Sequence, residues 1–156
     1  MLFRSEMFDL KGLTQLAVGI FLLVYASIKL GIVWSFLKIV LLLVTLFCSS
    51  LVLISLALMA ACACFWVVNS YPVLGLAWKL REFAPYPMNI FDGFFRFIFT
   101  YILPIGFIAF YPSLFFVAPQ SISLFVYFFP VIGIGLFFLA YRVWLLGVNS
   151  YTGTGS

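Results

Sequence analysis

Histidine is absent from this chain, and charge is scarce: eight basic and four acidic residues, 8% charged in all, stand among 156 residues. A soluble domain carries about 25% charged residues and needs them to cover its surface. A soluble enzyme domain and a disordered tail are therefore excluded. Without histidine the commonest general base and metal ligand is missing. The three cysteines, Cys48, Cys62 and Cys64, all sit inside an apolar run, which excludes a disulfide scaffold. Asn69, Asn89 and Asn149 lack Ser or Thr two residues on, so no N-glycosylation acceptor occurs. No Gly-x-x-x-x-Gly-Lys phosphate loop is present either. The net charge of +4 does not point to nucleic acid, because the basic residues are scattered.

What is present is apolar: 67% hydrophobic residues, 21% of the chain aromatic. That composition defines a multi-span membrane protein. Charges mark the span ends, since one charge at a helix centre costs about 2.5–3.5 kcal/mol. Gly12 to Ile28 carries none, and Lys29 can snorkel from the helix end. The reading is all-α and polytopic, one membrane domain over 1–156. It has four transmembrane helices near 12–33, 39–68, 97–117 and 121–141. Pro119-Gln120-Ser121 separates the last two. The first span is not read as a cleaved signal, because Glu6 and Asp9 precede it and its apolar run is long.

The connection 69–96 is read as cytoplasmic, with a short interfacial helix over Val73–Phe83 between Tyr71-Pro72 and the pair Pro85 and Pro87. Arg4, Lys11, Lys79, Arg81, Arg96 and Arg142 fall on one side of this map, Lys29 and Lys38 on the other. The positive-inside rule then puts both termini in the cytoplasm of a cell (plasma or inner) membrane. Trp34, Trp66 and Trp144 at span ends and Trp78 in the connection fit an interfacial belt.

No catalytic constellation emerges. Cys62 and Cys64 are two apart on a helix, about 200° from each other, and cannot grip one metal. Thr45, Ser49, Ser50 and Ser55 are expected to bond their own or a neighbouring helix. Gly133-Ile134-Gly135 is a packing or bending site within the last span. No ionisable group sits at a span centre, so an ion-driven carrier is excluded and any transport would draw its energy from a partner.

Two features bear on helix assembly. Ser50, Ala57, Ala61 and Cys64 form a small-residue stripe at heptad-like spacing, expected to pack within the chain or on a second copy. Pro104, Pro112, Pro119 and Pro130 mark spans three and four as kinked.

Residues 83–116, FAPYPMNIFDGFFRFIFTYILPIGFIAFYPSLFF, resemble the C-terminal part of permease subunits of ABC-type transporters, in the type-two exporter superfamily. The matching positions are Phe83, Tyr86-Pro87, Ile90-Phe91, Arg96, Pro104, Phe107 and Tyr111-Pro112. Phe65-Trp66, Phe8-Asp9-Leu10 with Gly12, and the tail Tyr151 to Ser156 fit as well. Such permeases usually have six spans, so the resemblance implies a truncated or shortened member that begins within a cytoplasmic loop. It implies a second permease subunit, and a cytoplasmic ATPase partner holding ATP and magnesium, with no cofactor on this chain. Lys79, Arg81 and Glu82, with Arg96, become candidate contacts to that ATPase; their plainer role is positive-inside anchoring.

Two other readings compete. One is a small four-span accessory or scaffold protein without transport activity, separable by whether a soluble ATPase co-purifies. The other is a membrane-embedded enzyme, which would need a polar cluster at bilayer depth.

Overall fold

The computed structural model describes the backbone of residues 3–66, 71–118 and 127–150, and the side chains of 12–66, 72–118 and 127–150. The described residues contain helices and turns and no strand. Three of these helical stretches are long and apolar enough to cross a membrane: Gly12–Lys29, Phe36–Phe65 and Phe129–Ser150. The chain divides into two compact units, Met1–Phe36 and Leu37–Ser156.

The first unit is helix α1, Phe3–Lys29, and the turn that ends it. Its apolar side chains stand outward, with Phe21 68% and Ile28 75% exposed, as suits a helix solvated by lipid. Ser27 Oγ donates to the Leu23 carbonyl at 2.6 Å, so its hydroxyl is satisfied within the helix. The end is a Schellman motif: Ile32 N–H bonds the Ser27 carbonyl at 3.0 Å and Gly31 N–H the Ile28 carbonyl at 3.3 Å. Gly31 sits at φ +61°, the left-handed region where a Cβ is costly. Lys29 reaches back over the Tyr25 ring, 5.8 Å from its centroid.

The second unit is built on α2, Phe36–Cys62, which runs on as a 3₁₀ turn over Ala63–Phe65. At 1.5 Å per residue α2 is about 40 Å long, more than the roughly 30 Å hydrocarbon core. It buries Thr45, Cys48, Val52, Ser55 and Cys62, a single stripe at heptad spacing. Helix α3, Tyr71–Arg81, then carries Lys79 and Arg81. It lies two residues earlier than the reading of Val73–Phe83, because Pro72 serves in a first helical turn, where its missing N–H costs nothing.

Residues 97–117, read as one kinked helix, are corrected here to a broken path. Helix α4, Gly93–Phe97, passes into a π-turn, Ile98–Ile102. A 3₁₀ turn, Ile105–Phe107, and helix α5, Phe110–Val117, follow. Pro104 causes the break. It has no N–H to give the Thr100 carbonyl, so the helix widens and Leu103 N–H bonds the Ile98 carbonyl at 2.8 Å. Pro104 itself, at φ −72° and ψ 54°, is the centre of an inverse γ-turn closed by Ile105 N–H on the Leu103 carbonyl.

The other described span prolines do not kink anything. Pro112 lies in the first turn of α5, and Pro130 in the first turn of α6, Phe129–Ser150. Pro119 and residues 121–126 of the expected fourth span lie outside the described residues. That span was expected to end at 141; α6 instead runs through Arg142, which stays exposed on the helix.

Helices α2 and α6 run parallel. Gly133 lies against Cys48, where a Cβ would come 3.1 Å from the Cys48 carbonyl oxygen, and Gly147 lies beneath the Phe65 ring. The segment joining them must therefore carry the chain back along α2. Leu56 packs against the cluster formed by Ala84, Met88, Phe99 and Ile105, while Phe107 reaches the level of Cys48 and Val52 and meets Phe129 at the start of α6.

Candidate functional site

The broken return segment gathers most of the motif positions. Phe107 is fully buried and stacks on Phe129 at 6.2 Å between centroids, with the rings 8° from parallel. It also meets Tyr111 at 4.7 Å. Ser49 Oγ donates to the Phe107 carbonyl at 3.3 Å and fastens the segment to α2. Thr45, Ser50 and Ser55 instead bond carbonyls of their own helix, those of Leu42, Leu46 and Leu51.

Tyr111 is the joint between two cores. It packs against the cluster of Cys48, Val52, Phe107 and Phe129 and against that of Ala84, Met88, Phe99 and Ile105. Its hydroxyl bonds Thr100 Oγ1 at 2.7 Å, and either oxygen can be the donor. The ring can lie there only because residue 106 is glycine: a Cβ would come 2.7 Å from the Tyr111 ring and 3.2 Å from Met88 Cγ. Pro112 beside it is buried. Below lies an aromatic group in which Phe99 stacks on Phe83 at 5.6 Å and meets Phe91 edge-on at 5.2 Å.

Arg96 is exposed yet engaged. Its Nε donates to the Met88 carbonyl at 3.2 Å and one terminal nitrogen to the Asn89 carbonyl at 3.4 Å. The guanidinium thereby holds the 3₁₀ turn Met88–Ile90 against α4. Beside it opens a groove of about 200 Å³, lined by Gly93, Arg96, Phe97, Thr100, Tyr101 and Tyr111.

Other motif positions lie apart. Tyr86 is exposed, and Pro87, at φ −60° and ψ 131°, leads into the 3₁₀ turn at Met88. Phe65 covers Gly147 on α6, with exposed Trp66 edge-on to it at 6.1 Å. Lys79, Arg81 and Glu82 are all exposed, and Arg81 lies 5.5 Å from the Trp78 ring centre.

The expected small-residue stripe, Ser50, Ala57, Ala61 and Cys64, is exposed at all four positions. The face that packs is that of Cys48, Val52, Ser55 and Cys62. It is offset by two residues, about 200° around the helix. Small residues lie on both faces, and Val52 is what fills the space against Phe107 and Phe129. Cys62 is buried and Cys64 exposed, as their spacing requires. Sequence reasoning missed Thr100, Gly106 and Gly147. Thr100, four residues before Pro104, carried one readable signal: its carbonyl loses the usual helical donor.

Among the described residues no three His, Cys, Asp or Glu side chains gather where they could hold a metal ion. Apolar membrane-length helices, packed through small residues around a broken return segment, define an integral membrane protein. Comparison with known families is more specific. The family described as ABC-2 family transporter protein matches residues 2–155, and the chain belongs to that family. It is a permease-type membrane transport component. No curated protein and no solved structure matches the chain.

Proposed function

We propose that this chain is the membrane-spanning permease subunit of an ATP-driven exporter, providing a translocation path while a separate cytoplasmic ATPase binds ATP with magnesium and hydrolyses it. The family match over residues 2–155 carries the reading. The absence of a phosphate loop and of ionisable residues at the span centres supports it, since energy must then arrive through another chain.

The topology we propose is four crossings of the cell membrane with both termini cytoplasmic. Its support is geometric: neighbours α2 and α6 run parallel, which requires a return crossing between them, and the segment through Phe99, Pro104 and Phe107 follows α2 in that direction. Broken backbone is tolerated at bilayer depth where protein covers it, and Pro104 to Phe107 are buried. The exposed stripe Ser50, Ala57, Ala61 and Cys64 is the surface we assign to a second permease subunit, because small residues allow close helix approach.

Lys79, Arg81 and Glu82, exposed on α3 and just beyond it, are the proposed ATPase contacts. The test is reversal of both basic charges, Lys79→Glu with Arg81→Glu, in the full chain. Reduced co-purification of a cytoplasmic ATPase, with its ATP hydrolysis no longer stimulated by the permease, is the expected result. Unchanged binding and stimulation would refute the contact.

A further inference from the structure

The groove beside Arg96 has a chemistry that helix packing does not call for. Four of its six lining residues, Arg96, Thr100, Tyr101 and Tyr111, carry a polar group. The Thr100–Tyr111 pair has two O–H groups and one hydrogen bond between them, so one donor is left whichever way that bond runs. Arg96 directs two N–H groups at the Met88 and Asn89 carbonyls, and a guanidinium has five. The groove thus offers a fixed positive charge and a hydroxyl donor on one short wall.

Its floor is formed by the π-turn at Thr100 and Tyr101, whose widened backbone comes from Pro104. Gly93 leaves the mouth open, since a Cβ there would meet nothing within 4 Å. Two of the lining residues are large exposed aromatics: Phe97 is 53% exposed and Tyr101 61%. A charged donor set at the head of an apolar segment, bordered by exposed aromatics, matches a ligand that is anionic at one end and apolar at the other.

We propose that this groove binds the phosphate of an anionic phospholipid. Arg96 meets the phosphate oxygens, the Thr100–Tyr111 hydroxyl pair supplies a further donor, and the acyl chains lie along Phe97 and Tyr101. The site depends on the chain lying in a membrane and not on its coupling to an ATPase.

The test is a lipid titration of the full chain in detergent, with bound lipid counted by native mass spectrometry. The probes are phosphatidylglycerol, phosphatidylcholine and inorganic phosphate. Phosphatidylglycerol should bind about tenfold tighter than phosphatidylcholine, whose choline cation offsets the phosphate charge that Arg96 meets. Arg96→Gln and Gly93→Leu should each remove that preference. Arg96→Gln also loses the bonds to the Met88 and Asn89 carbonyls, so Gly93→Leu, which fills the groove from an open position, is the variant that spares the fold. Retention of the full preference in Gly93→Leu overturns the proposal. Displacement of the lipid by millimolar inorganic phosphate assigns the groove to a soluble phosphate ester and overturns the lipid assignment.

Discussion

Gly133 and Gly135 lie two residues apart on α6 and should answer the same substitution in opposite directions. A Cβ at Gly133 would sit 3.1 Å from the Cys48 carbonyl oxygen and 3.5 Å from the Cys48 Cβ. The nearer atom is backbone and cannot rotate away. Gly133→Ala must therefore push α6 off α2 by a few tenths of an ångström where Val52, Phe107 and Phe129 meet. Overpacking of that kind costs about 1–3 kcal/mol, and the better helix propensity of alanine returns about 0.5–1 kcal/mol. The net destabilisation is about 0–2.5 kcal/mol, centred near 1 kcal/mol. At Gly135 a Cβ meets nothing within 4 Å, so Gly135→Ala retains only the gain. The two variants should differ by about 2 kcal/mol, roughly 30-fold in the folded-to-unfolded ratio. Sodium dodecyl sulfate titration in mild detergent, followed by far-ultraviolet circular dichroism, measures the midpoints. Equal shifts in the same direction for both alanines would refute the parallel contact between α2 and α6.

Other residues offer independent checks. Tyr111→Phe leaves the buried Thr100 hydroxyl without its partner and should cost about 1–3 kcal/mol. Adding Thr100→Val should add less than its own single cost, because both changes remove one bond. Thiol labelling of folded protein in detergent should spare Cys48 and Cys62, which react only after denaturation; prompt labelling of Cys62 would contradict its burial at 1% exposure.

Charge placement told most about the large helices, because a charge in hydrocarbon is costly enough to mark a boundary. The same logic misplaced the end of the last helix. Arg142 looked like a terminus, but one long side chain on an exposed face does not stop a helix. Proline was ambiguous in a different way. The residue type says that a backbone bond is missing, not whether a helix is starting or breaking there. Pro112 and Pro130 start helices, and Pro104 breaks one. The packing face of α2 was legible as a period but not as a direction. Two stripes with the same spacing run along that helix, and only the bulk of Phe107 and Phe129 decides which is used. Arg96 was visible as a charge; its carbonyl partners, at Met88 and Asn89, come from a turn that only tertiary packing places beside it.

The parallel pairing of α2 with α6 also sets the order of assembly during synthesis. Consecutive helices can close into a hairpin as soon as the second emerges, but parallel partners cannot. The face of α2 that carries Cys48 and Val52 is therefore only partly covered, by Phe107 of the return segment, until Phe129 and Gly133 arrive with α6. The Phe107 carbonyl is there for Ser49 before α6 emerges, but the aromatic stack of Phe107 on Phe129 does not exist until then. Helix α6 is thus the step at which this seam closes, and a ribosome that stalls before it releases a product in which α2 still exposes the unfilled seam.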